Sequence, residues 1–149
     1  MRSVYAMTDT HIRQLHQLYQ GEWWTRGRSL EQTQRCVGGS QVCVGLVDAN
    51  ERLAAFARVV TDFTFKALIF DVIVDPAARS QGLGQRVIAL IKGHDKLRDI
   101  CHFELYCLPD LYGFYRKFGF SEDLGEIRLM RCVNFNASQP HCGHRSDKS

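Results

Sequence analysis

"RSQGLGQRV", residues 79–87, stands between an apolar run, "KALIFDVIV" (66–74), and a segment in which Leu83, Val87, Ile88, Leu90 and Ile91 recur at helical spacing. It therefore joins a strand to a helix. A reversal of direction needs at most one glycine, yet Gly82 and Gly84 lie one residue apart here, beside Arg79. Glycines at these positions leave the backbone uncovered where the N–H groups of a helix's first turn point outward and the helix dipole attracts negative charge. The stretch reads as an anion cradle, and phosphate is the usual occupant of such a turn.

Two common phosphate loops are excluded by the residues themselves. A dinucleotide fingerprint requires a third glycine where Val87 stands, and its unit normally opens the fold. A Walker loop ends in Gly-Lys-Ser/Thr, and Gln85-Arg86 is not that.

Outward from the turn, the chain alternates between element types. "RSVYA" predicts a short first strand, and Thr8, Asp9 or Thr10 caps a helix with Ile12, Leu15, Leu18 and Tyr19 on one face. Ser29 and Gln32 form a capping box for a second helix that ends at Gly38-Gly39. "QVCVGLV" and "LAAFARVV" flank the turn "DANER" as a hairpin, and "KALIFDVIV" is a central strand stopped by Pro76. "HFELYC" is a further strand, "DLYGFYRKF" a short helix closed by Gly119, and "IRLMRC" a last strand. The expected fold class is mixed α/β, with an antiparallel first half and a strand–glycine turn–helix–strand unit. From Asn134 the chain is polar and aperiodic, so residues 1–133 read as one domain and 134–149 as a flexible tail.

Composition limits the function classes. The 149 residues suit one domain, and 45% hydrophobic with 23% charged residues is a globular balance, with no apolar run of membrane-spanning length. A net charge of +3 without a dense Lys/Arg run argues against nucleic acid as a partner. The N-terminus lacks a basic-then-apolar secretory profile, which predicts a cytoplasmic protein whose six scattered cysteines are free thiols. His102 and Glu104 make at most half of a metal site, with no second pair at ligand spacing to join them, and "HCGH" at 141–144 reads as an adventitious metal binder in the tail, so no required metal is expected.

Arg79, Gly82 and Gly84 fit a third pattern, Arg/Gln-x-x-Gly-x-Gly/Ala, and with "GFYRKFGF" (113–120) they make the chain resemble the GNAT superfamily of acyl-CoA-dependent N-acetyltransferases. The resemblance covers roughly residues 2 to 132 and implies a mostly antiparallel sheet flanked by helices, with acetyl-CoA as cofactor. It places the coenzyme's pyrophosphate on the backbone of Arg79, Ser80, Gln81, Gly82, Leu83, Gly84 and Gln85, and its pantetheine arm along Val72, Ile73 and Val74. Ser80 departs from the glycine frequent in the family, and Leu108 from its frequent asparagine. Tyr115 falls where the family's tyrosine sits, with the implied role of protonating the departing thiolate; as a plain helix aromatic it would instead pack beside Phe114 and Phe118.

Acetyl transfer also needs a free amine, hence a proton acceptor. The family's central-strand glutamate has no counterpart at Leu68, Phe70 or Val72. Asp71, which alternation directs to the opposite face from Phe70, is either a base or a hydrogen-bond hub; Glu104, Asp62 and Glu22 are the other carboxylates. The resemblance puts Trp23 and Trp24 at the border of the acceptor site, where a ring can face a cationic or aromatic amine or fill the core, and Phe63 and Phe65 invite the same two readings. Cys107 lacks a supporting histidine and aspartate constellation, so direct transfer in a ternary complex is expected. The acceptor is a small-molecule or protein amine, neither nucleic acid nor membrane is a partner, and a homodimer is compatible with the resemblance. The alternative function is a non-catalytic acyl-CoA-binding module of the same fold.

Overall fold

The computed structural model describes residues 1–135. Most of the expected tail, with Cys142 and the "HCGH" segment, lies outside the described residues. The chain divides into two compact units, Met1–Tyr106 and a second that begins at Cys107.

In the first unit, strands β1 (Arg2–Val4), β2 (Val42–Val47), β3 (Leu53–Thr61), β4 (Lys66–Val74) and β5 (His102–Leu105) form one sheet in the order β1-β2-β3-β4-β5. The first four are antiparallel, and β5 is parallel to β4. The β2–β3 hairpin closes as its turn chemistry predicts: Asp48 Oδ1 accepts from the N–H groups of Asn50 and Arg52, and Glu51 takes a positive φ of 60°.

Helices α1 (Asp9–Gln20) and α2 (Leu30–Gly38) each begin with a capping box, Thr8 with His11 and Ser29 with Gln32. α1 lays Leu15 and Tyr19 on a cluster of Cys43, Val47, Leu53, Phe56 and Ile73. β2 is buried at every residue, so both sheet faces are covered. Helix α3 (Leu83–Lys92) supplies a second cover, burying Leu83, Val87, Ile88 and Ile91 and packing against β2, β3 and β4. Each such aliphatic side chain contributes about 1.5–3 kcal/mol on removal from water.

Two features depart from the simple pattern of alternating strands. In β4, Phe56 pairs with Ile73 but Arg58 pairs with Phe70, so Asp71 and Val72 together stand opposite Ala57 in a β-bulge. The bulge breaks alternation, and the Arg58 guanidinium reaches both the Asp71 carboxylate and the Phe70 ring. Asp71 and Phe70 therefore share a face, contrary to the expectation that they point apart. The second departure is "IRLMRC". No strand forms over 127–132, where Ile127, Leu129 and Met130 are exposed and Arg128 donates to the carbonyls of Gly125 and Ile127. Strand preference expresses fit to a pleated, half-buried surface, and among the described residues no neighbouring strand pairs with these.

The second unit holds helix α4 (Tyr112–Arg116), entered through a short 3-10 turn at Pro109–Leu111. The helix ends at Arg116 with Lys117 as its C-cap, two residues short of the expected Gly119, which at φ 89° closes the turn that follows, where the Phe120 N–H bonds to the Tyr115 carbonyl. Arg116 pairs with Glu122 beyond it.

Candidate active site

The cradle is built by the way β4 ends. Asp75 donates its N–H to the Ala54 carbonyl at 2.8 Å, its side chain accepts from the Ala77 N–H at 3.0 Å, and a 3-10 turn follows at Pro76–Ala78. Arg79 is extended, Ser80 has φ 67°, and Gly82, the N-cap of α3, has φ 71° and ψ 22° with no side-chain cap. A left-handed N-cap without a side-chain acceptor leaves the first-turn N–H groups of α3 to an external anion. Ser80 occupies without glycine a backbone angle that glycine adopts freely, which accounts for the family's preference there. Arg79 is tied to the loop after α1 by an ion pair with Glu22 at 3.0 Å.

The bulge organises a second cluster. Asp71, at φ 57°, is buried, and its Oδ2 accepts from Tyr19 Oη at 2.8 Å, Arg28 Nη1 at 2.7 Å and Arg58 Nε at 2.6 Å. Oδ1 receives Arg28 Nη2 at 3.3 Å. Burial pushes the Asp71 carboxyl up, but the Arg28 hydrogen bonds and the charges of Arg58 and Arg28 outweigh it and hold the group below its ordinary value. Tyr19 is pushed far up, first by burial and then by the Asp71 charge, and stays neutral. Arg28 also stacks over the Tyr19 ring at 4.6 Å, and Arg58 over Phe70 at 4.9 Å. Tyr106 meets Phe70 edge-on at 5.7 Å.

The remaining carboxylates are dispersed. Glu104, in register with Leu68 on β4, pairs through Oε1 with Lys66, whose Nζ also lies 3.2 Å from His102 Nδ1. Asp62 is exposed and closes the β3–β4 loop by accepting from the N–H groups of Thr64, Phe65 and Lys66, which lower its pKa. Among the described residues no three His, Cys, Asp or Glu side chains gather as a metal site. Trp23 is exposed, Trp24 packs against the α1 core cluster, and Phe63 and Phe65 are exposed on their loop. An open depression of ≈ 370 Å³ lined by Gln14, Gln17, Leu18, Arg52, Leu53 and Asp75 contains none of the nominated residues.

In the second unit Tyr115 is buried among Phe114 and Phe120, both edge-on to it. Burial, then the nearby Cys107, pushes its hydroxyl up to about 12, so the phenol holds its proton at neutral pH. Cys107 itself is pushed up by burial and stays a thiol. The cysteines at 36, 43, 101, 107 and 132 form no disulfide.

Arg28 and Arg58 are the residues that sequence reasoning missed. A signal existed: Asp71 and Arg58 are lone charges in apolar strands that follow one another in the chain, and such charges need partners.

Comparison with known proteins completes the picture. Residues 10–120 match the model of the Acetyltransferase (GNAT) family. An uncharacterised N-acetyltransferase of Pyropia yezoensis is 31% identical over 134 residues, 87% of this chain and 76% of that protein. GCN5-related N-acetyltransferase 1 of Arabidopsis thaliana is 40% identical over 83 residues, 56% of this chain and 42% of that protein. Among solved structures, a GNAT-family acetyltransferase from Xanthomonas campestris pv. campestris superposes with a TM-score of 0.75 at 28% identity, covering 90% of this chain and 94% of that one.

Proposed function

Since the chain belongs to the GNAT acetyltransferase family, whose general reaction moves an acetyl group from acetyl-CoA to an amine, we propose that it is an N-acetyltransferase working by direct transfer. The observation that carries this is the left-handed, uncapped Gly82 that opens α3 beyond the bulged strand and its 3-10 turn. The N–H groups from Arg79 to Gln85 hold the pyrophosphate, and the edge of Val72, Ile73 and Val74 holds the pantetheine arm. Coenzyme A supplies the activated acetyl thioester when bound.

Each chain residue then has a defined task. Tyr115, protonated well beyond neutral pH, delivers the proton on Oη to the departing sulfur. Glu104 is partly exposed and its Oε2 meets no partner among the described residues, which suits it to take the amine's proton directly or through water. Asp71 has donors on both oxygens, and it positions Arg28 and Arg58 instead of serving as a base. The acceptor is an amine on a small molecule or a protein. Rice relatives named serotonin N-acetyltransferase 2 and glucosamine 6-phosphate N-acetyltransferase 1 favour a small molecule, while a soybean relative is named a histone acetyltransferase.

Thermal unfolding tests the cofactor. Acetyl-CoA at a hundredfold excess over its Kd adds about 2.7 kcal/mol, a shift of several degrees, whereas NAD and ATP at equal concentration leave the midpoint in place. A Tyr115→Phe variant should keep that shift and lose about 10²-fold or more in kcat. Retained turnover would favour the packing role of Tyr115, and no turnover with any amine by the wild type would favour a binding module.

A further inference from the structure

We propose that the acceptor amine carries an anionic group, a carboxylate or a phosphate, which is bound by the guanidinium pair Arg28 and Arg58. This rests on reading the chain as an N-acetyltransferase and names the substrate class of that site. Two guanidiniums share one carboxylate, Asp71, so the cluster keeps one positive charge unmatched. Among the described residues Asp71 is the one carboxylate in ion-pair contact with either guanidinium. Half-buried, uncompensated charge is costly unless a counter-charge arrives.

The hydrogen-bond count leads to the same conclusion. A guanidinium carries five N–H donors in a planar fork suited to carboxylate and phosphate. Arg28 commits Nη1 and Nη2 to Asp71, and Arg58 commits Nε to Asp71 and Nη1 to Ser40 Oγ. Arg28 Nε and Arg58 Nη2 meet no acceptor among the described residues, and no side-chain nitrogen or oxygen is both sealed from solvent and unpartnered. Those donors therefore reach solvent. Asp71 and the rings of Tyr19 and Phe70 fix both forks in place, so little side-chain freedom is lost when an anion binds. A plain cationic amine has nothing to gain from this surface.

Steady-state kinetics on the full chain with matched acceptors provides the test: ethanolamine against O-phosphoethanolamine, and tyramine against tyrosine. At least one acceptor bearing an anionic group should exceed its counterpart without one about tenfold in kcat/KM. In Arg28→Gln, where Arg58 still neutralises Asp71, that preference should collapse through the acceptor KM, and Arg28→Lys should restore part of it. Acceptors without an anionic group used equally well, or an Arg28→Gln effect confined to the KM for acetyl-CoA, would overturn the proposal and assign the pair to the coenzyme or to structure.

A second arm does not depend on turnover. With coenzyme A at saturation, inorganic phosphate should raise the unfolding midpoint of the wild type more than that of Arg28→Gln; equal shifts overturn the proposal. If coenzyme A does not bind at all, the transferase reading fails, and the difference between the two phosphate titrations still decides whether the pair is an anion site.

Discussion

Asp71 occupies a backbone angle, φ 57°, that a non-glycine residue adopts only when its surroundings hold it there, and three donors on one carboxylate oxygen do so. Replacing it with asparagine keeps the shape and removes the charge that neutralises Arg28 and Arg58. Asp71→Asn should therefore lose about 2–4 kcal/mol of stability, read from urea unfolding at pH 7. The pH dependence has a definite sign. The folded-state pKa is lowered, so this stabilisation is fully present above the ordinary carboxylate value near 4 and is lost as pH falls through the folded value. The variant should accordingly show a shallower decline of stability below about pH 4 than the wild type. Much of this residue was legible in the sequence, because an acid in an apolar strand demands partners. Its partners were not, since Arg28 lies 43 positions away in a loop whose path is set only by packing.

Among the elements, the glycine turn and its helix were the most legible, because glycine spacing and helical periodicity are local signals. The bulge in β4 was not. It carries no glycine, and a run such as "IFDVIV" looks the same whether alternation holds or slips by one. "IRLMRC" failed for the converse reason: its residues favour a strand, but pairing is a property of neighbours. The turn itself gives a direct prediction. A Cβ at Gly82 would meet nothing nearer than Gln85 Oε1 at 3.9 Å, so the cost of Gly82→Ala comes from φ 71° alone, about 1–2 kcal/mol in thermal or urea unfolding. Acetyl-CoA affinity should fall as well, measured by titration, since relief of that angle re-aims the first-turn N–H groups.

At the scale of the whole molecule, the sheet opens along one seam. β4 and β5 run parallel and pair only from Lys66 to Ile69 against His102 to Leu105, while β4 continues to Val74. From Phe70 onward, β4 is bonded to β3 on one side and, among the described residues, to no strand on the other. Parallel pairing over four residues is a short seam, and the bulge begins where it ends. This seam gives neighbouring residues different clocks. In deuterium exchange, alternate amides between Phe70 and Val74 should exchange within seconds while those locked onto β3 hold their protons for hours. Adding acetyl-CoA should slow the fast set alone, so a single strand reports, amide by amide, which of its edges the ligand has joined.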